Sequence, residues 1–135
     1  MKNKNNYLIN IFFPLFIPLS FLLIKCSHTS SAIILVDGIH EPGLNNNCKI
    51  SGRILDKDSN EPLVGVSISI DSTSFEEISD INGNYDFHNI PPGTYKIRVK
   101  YLSYQSLVTK QIRFDKNKRY LIDFGLLYIP ILPLH

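Results

Sequence analysis

Residues 79–97 read SDINGNYDFHNIPPGTYKI, and whether they form a metal loop or strand punctuation decides how the rest of the chain is read. Asp80, Asn82, Asn84 and Asp86 set oxygen-bearing side chains at alternate positions around Gly83. A calcium loop needs roughly six to eight oxygens converging on one ion. Gly83 comes too early for the EF-hand spacing, no Glu closes the loop, and Asp86 alternates away from Tyr85 and Phe87. The stretch therefore reads as a tight hairpin followed by a reversal. Gly83 supplies the φ > 0 position, and Asp80 accepts backbone N–H groups within its own turn. Pro91 and Pro92 fix an extended segment that cannot join a ladder, and Gly93 lets the chain reverse into the strand that starts at Tyr95.

On both sides of this stretch the apolar rhythm has period two. Ile50, Gly52 and Ile54 share a face, then Val64, Val66, Ile68 and Ile70, then Tyr85 and Phe87. The run YKIRVKY puts Tyr95, Ile97, Val99 and Tyr101 inward and Lys96, Arg98 and Lys100 outward. Val108, Ile112 and Phe114 follow, then Tyr120, Ile122, Phe124 and Leu126. Successive strand side chains point to opposite faces, so the pattern predicts half-buried antiparallel strands. Breaks at DKDSNEP, DSTS, INGN, NIPPGT and DKNK separate them, and no stretch keeps a helical period. The expectation is an all-β, two-sheet sandwich of six or seven short strands. Tyr85, Tyr95, Tyr101 and Tyr104 suit its edges, with apolar bodies and polar tips.

In order along the chain, ISGRILDKDSNEPLVGVSISI, SDINGNYDF and IPPGTYKIRVKYLSY resemble the ordered motifs of the carboxypeptidase regulatory-like domain family. The resemblance covers about residues 49–127, with Ser79 where Thr is usual and Ser103 where the last Gly is usual. It implies a seven-stranded antiparallel transthyretin-like (prealbumin-like) sandwich, common in exported proteins of Gram-negative bacteria. Asp80, Asn82, Gly83, Pro91 and Gly93 are then signature turn residues rather than a site. In relatives the domain often precedes a TonB-dependent outer-membrane receptor, so a truncated receptor N-terminal domain is one alternative. The transthyretin fold also hosts a urate-pathway hydrolase ending in Tyr-Arg-Gly-Ser, whereas this chain ends YIPILPLH, so a small hydrolase is the weakest reading.

Composition narrows the function classes. The chain has 135 residues, 44% hydrophobic and 19% charged, with a formal charge of +2. That balance describes one globular domain with extensions and gives no reason to expect nucleic acid as a partner. Acidic residues cluster in 56–86 and basic residues in 96–119, an arrangement expected to offset across neighbouring strands. His28, His40, His88 and His135 stand singly, without a His/Glu pair at ligand spacing, so neither a metal nor another cofactor is expected. No nucleophile–base set can be named, and the chain is read as non-catalytic.

The N-terminus is an address. Lys2 and Lys4 precede an apolar run from Tyr7 to Ile24, followed by small polar residues. As a helix that run would span roughly 27 Å. Ser30 and Ala32 fit cleavage after Ala32. LIKC makes Cys26 a lipidation candidate, with Lys25 departing from the lipobox, and an uncleaved anchor is the third option. All three export the domain, which is expected in the periplasm or at the outer membrane. Its expected partners are other envelope proteins or glycan, with the membrane reached through signal anchor or lipid. Cys48 then lacks an intrachain partner and is expected to be a semi-buried thiol. The resulting map is a signal or anchor at 1–32, a linker at 33–47, the sandwich at 48–128 and an apolar tail at 129–135. Within the linker, Ile33 to Val36 could add an edge strand. Ile129, Ile131 and Leu134 of the tail are expected to fold back over the sandwich edge or to dock a partner.

Overall fold

The computed structural model describes residues 32–130. The leader, Cys26, and Ile131 and Leu134 of the tail lie outside them. Ten strands run in order: β1 (Ala32–His40), β2 (Cys48–Asp56), β3 (Ser67–Ile70), β4 (Glu76–Ile78), β5 (Asn84–Ile90), β6 (Gly93–Tyr95), β7 (Ile97–Lys100), β8 (Leu107–Val108), β9 (Ile112–Phe114) and β10 (Lys118–Leu126). One four-stranded sheet has the order β1-β10-β2-β5, the other β4-β3-β7-β8, and β6 pairs with β9. The count exceeds the expected seven because short strands of two or three residues occupy parts of longer strands or turns, as β6, β8 and β9 do, or a stretch assigned to no element, as β4 does.

One pairing is not antiparallel. β10 lies parallel to β2, with Tyr120 opposite Ile50 and Phe124 opposite Ile54. Alternation reports which face is buried and carries no information about a partner's direction. The segment read as a linker is also shorter than 33–47. The edge strand extends over Ala32–His40, antiparallel to β10, and leaves only 41–47 as a connecting loop.

The core draws on both four-stranded sheets. Ile50, Ile54, Phe87, Ile122, Phe124 and Leu126 from one meet Ile68, Ile70, Ile97 and Val99 from the other. Each such side chain contributes roughly 1.5–3 kcal/mol on burial, which offsets the backbone ordering of a small domain. Two alternation readings fail. Val64 is exposed because Gly65 takes φ 80 directly after it and breaks the rhythm before β3. Val108 is exposed because Leu107 stands opposite Val99 and takes the inward position. Tyr95, Tyr101 and Ile112 are only half-buried against the core.

Cys48 is fully buried rather than semi-buried, and its thiol donates to the Ile90 carbonyl at 3.3 Å. Burial pushes the thiol up to about 11. An intermolecular bridge at Cys48 is therefore closed to the folded protein. Native protein treated with a thiol reagent should leave the Cys48 peptide unmodified by mass spectrometry, and label it fully in denaturant. Labelling at equal rates in both states would contradict this packing.

Of the tail, residues 129 and 130 are described, and the Ile129 backbone is tied to the domain while its side chain stays 49% exposed. The Gln105 N–H donates to the Leu127 carbonyl at 2.8 Å, and the Ile129 N–H donates to the Ser103 carbonyl at 2.7 Å. Ser103 has φ 66, a left-handed conformation that glycine adopts without cost, which accounts for the glycine usual at this position in the resemblance.

Candidate functional site

The stretch at 79–97 is built as a turn. Asp80 Oδ1 accepts the N–H groups of Asn82 at 2.9 Å and Asn84 at 2.8 Å, and the Gly83 N–H donates to the Asp80 carbonyl. Gly83 takes φ 75, and a Cβ there would lie 2.5 Å from the Ile54 carbonyl oxygen. The turn is not a hairpin within one sheet, because β4 and β5 belong to different sheets and the chain crosses between them here. Sequence alternation marks the turn but not which sheets its flanks join.

Pro91 and Gly93 act differently from the expectation. Gly93 lies in β6 and is not left-handed; the left-handed residue near the reversal is Asn89, at φ 56. The Tyr95 ring lies 3.2 Å from where a Gly93 Cβ would sit, and its hydroxyl donates to the Pro91 carbonyl at 2.9 Å. Gly93 thus makes room for Tyr95.

A groove of about 620 Å³ lies on the outer face of the β1-β10-β2-β5 sheet. Ser51 and Arg53 of β2, Asn84 and Asp86 of β5 and Asp123 of β10 line it, with Glu77 of β4 at its margin. These positions alternate with core residues along each strand, so the chain itself places their polar groups outward. The floor is a local opening of the parallel ladder between the Ser51–Leu121 and Ile54–Phe124 pairings. Side chains satisfy the backbone there. The Tyr85 hydroxyl donates to the Ile122 carbonyl at 2.6 Å, and Asp123 Oδ1 accepts the Arg53 N–H at 2.8 Å. Tyr85 stands opposite Gly52 in register and is buried, not at an edge; burial pushes its phenol far above the usual range.

Around the groove, Asp86 Oδ2 pairs with Lys49 Nζ at 3.0 Å and His88 Nε2 at 3.2 Å. The Arg53 guanidinium is exposed and has no ion pair among the described residues. The two oppositely charged runs meet through Asp71 and Arg98, a two-bond pair at 3.0 and 3.1 Å. Lys96 and Lys100 of the basic run add to the offset at Asp71, whereas Asp115 takes Lys118 and Arg113 from its own basic run. No group of three or more His, Cys, Asp or Glu stands at metal-binding geometry among the described residues.

Three carboxyls are held below their ordinary value of 3.8. Backbone N–H donation from Ser59 lowers Asp56, the Arg98 guanidinium lowers Asp71, and Lys118 with Arg113 lowers Asp115. Depressed folded values mean that this stabilisation is present above pH 3.8 and is lost as pH falls through the lower folded values. Thermal melts should therefore show a midpoint nearly constant between about pH 5 and pH 8 and falling at lower pH. A midpoint unchanged down to about pH 2 would show that these contacts contribute nothing.

These features define a helix-free, two-sheet sandwich among the described residues, with a polar groove on one face. The chain belongs to the CarboxypepD_reg-like domain family, which it matches over residues 50–126. Among solved structures, it is similar to 3-chlorocatechol 1,2-dioxygenase from Rhodococcus opacus, with a TM-score of 0.50 at 13% identity over 62% of this chain and 61% of that one. It is also similar to a type II cohesin–X-dockerin complex from Acetivibrio cellulolyticus, with a TM-score of 0.47 at 19% identity over 53% and 50% of the two chains. The chain thus spans about half the length of the latter, and at 13% identity the likeness to the dioxygenase is one of fold. No curated protein matches the sequence.

Proposed function

We propose that this protein is an exported, non-catalytic accessory module of the cell envelope that binds another envelope protein or a glycan through the groove on its outer sheet face. The observation that carries this reading is the groove itself. Its polar groups stand on rigid strands, and an uncommitted Arg53 guanidinium sits among the carboxylates of Asp86, Asp123 and Glu77. Such a mixed-charge surface orients a polar partner. Its buried hydroxyl, Tyr85, is occupied by the Ile122 carbonyl, and its floor carboxylate, Asp123, by a backbone N–H, so both serve the fold. Membership of the CarboxypepD_reg-like domain family supports a binding role.

Affinity capture of the full chain from solubilised envelopes tests the reading. Wild-type protein should recover a reproducible partner or glycan, and Arg53→Glu should lower that recovery about tenfold. Cytoplasmic fractionation together with the absence of any reproducible partner would overturn it. The mass of the mature N-terminus tests the export route: diacylglycerol on Cys26 or a terminus at Ile33 fits it, and a chain still starting at Met1 excludes both processing routes.

A further inference from the structure

Tyr101, Tyr104 and Tyr128 form a row of ring contacts beyond the C-terminal end of β10, the first pair tilted and the second edge-to-face, with ring centroids 5.2 and 5.4 Å apart. The Tyr104 hydroxyl is tied down, donating to Asp56 Oδ2 at 2.8 Å. Around this row, Leu102 is 86% exposed, Tyr128 50% and Ile129 49%. The backbone presenting them is fixed by the two hydrogen bonds that join 103–105 to 127–129. The patch is a rigid apolar tip with tyrosines behind it, the amphipathic composition favoured at a membrane–water boundary.

The path of the chain says what lies next to this tip. Ala32, the first residue of β1, stands opposite Gly125, and Leu126 stands opposite Asp56. The chain that follows the apolar run Tyr7–Ile24 therefore joins the domain at the same end as the tyrosine row. Seven residues separate Ile24 from Ala32, and they reach at most about 28 Å when fully extended. The opposite end, where His40 stands opposite Lys118, lies roughly 26 Å further along β10.

From this placement we infer that the tyrosine end docks on the lipid surface the leader crosses, with Leu102, Tyr128 and Ile129 entering the headgroup boundary. The inference rests on the export reading in the form that keeps a membrane tether, the retained leader or a lipid on Cys26, and adds an orientation: the tyrosine end faces the lipid and the end bearing Lys116 faces away.

The chain contains no Trp, so a single introduced indole reports alone. Full-length Leu102→Trp and Lys116→Trp proteins are reconstituted with phosphatidylcholine vesicles, with and without brominated acyl chains, and vesicle association is read by flotation. Leu102→Trp should float, shift its emission to the blue by about 10 nm and lose roughly half its intensity to brominated lipid, while Lys116→Trp stays unquenched. Tyr128→Trp serves as a second probe of the same tip and should behave as Leu102→Trp does. If the proteins float but the tip probes are no more quenched than Lys116→Trp, docking is wrong while the tether stands. Blue-shifted yet unquenched emission would mean that residues 131–135 or a second copy cover the tip, and likewise overturns docking. Protein that does not float at all removes the tether and the docking together.

Discussion

Replacing Gly52 by alanine is expected to lower the unfolding free energy by about 3 kcal/mol or more. A Cβ at Gly52 would lie 1.9 Å from the Ile122 carbonyl oxygen and 2.6 Å from its carbon. Both atoms are backbone, so no side-chain rotamer relieves the clash, and β2 and β10 must spread. Spreading would also break the bond from the Tyr85 hydroxyl to the same carbonyl, leaving a buried acceptor unpaired. Gly65→Ala is the control. Gly65 takes φ 80 with nothing within 4 Å of its Cβ position, so its cost is conformational alone, about 1 kcal/mol. Urea titrations with unchanged slope should separate the two variants. Equal midpoints for Gly52→Ala and Gly65→Ala would show that the ladder opening is not constrained as described. Because Gly52 also floors the groove, its alanine variant should lose captured partner as well as stability.

Why Gly52 could not be singled out from sequence is instructive. Period-two reading located Ile50, Ile54, Ile97, Val99, Ile122 and Phe124, all of which are buried. It treats a glycine as a blank on the inward face, so it cannot see that two strands approach through that blank. It missed the parallel pairing for the same kind of reason, since burial of a face is indifferent to strand direction. The Tyr85 hydroxyl points to an edge position by its polarity, yet its partner is a carbonyl of a strand 37 residues away. The turn chemistry of Asp80 and Gly83 is local, written into a few consecutive residues, and was legible. The groove was not, because Ser51, Asp86 and Asp123 come from three strands whose adjacency depends on the sheet order. Family membership was accessible because its motifs are strung in order along one chain.

Ser79 sits at a position where sequence logic offered only a mild departure, and it carries the second large expected effect. Its side chain is buried, its hydroxyl accepts the Val66 N–H at 2.9 Å and donates to the Leu63 carbonyl at 2.6 Å. Its backbone closes the same knot, with the Ser79 N–H donating to Val66 and the Gly65 N–H donating to Ser79, each at 3.0 Å. One residue thus holds the 63–66 segment against the start of the turn at Asp80. Ser79→Ala removes both side-chain bonds and leaves a buried donor and a buried acceptor unpaired, a loss of about 3 kcal/mol. Ser79→Thr keeps the hydroxyl and adds one methyl, so its change should stay within about 1 kcal/mol. Amide exchange supplies the site-specific readout. In Ser79→Ala the Val66 amide should lose protection beyond the global destabilisation, whereas in Ser79→Thr it should follow the wild type. If alanine and threonine variants melted together, or if Val66 exchange tracked only global stability, the hydroxyl would be filling space rather than pairing the backbone.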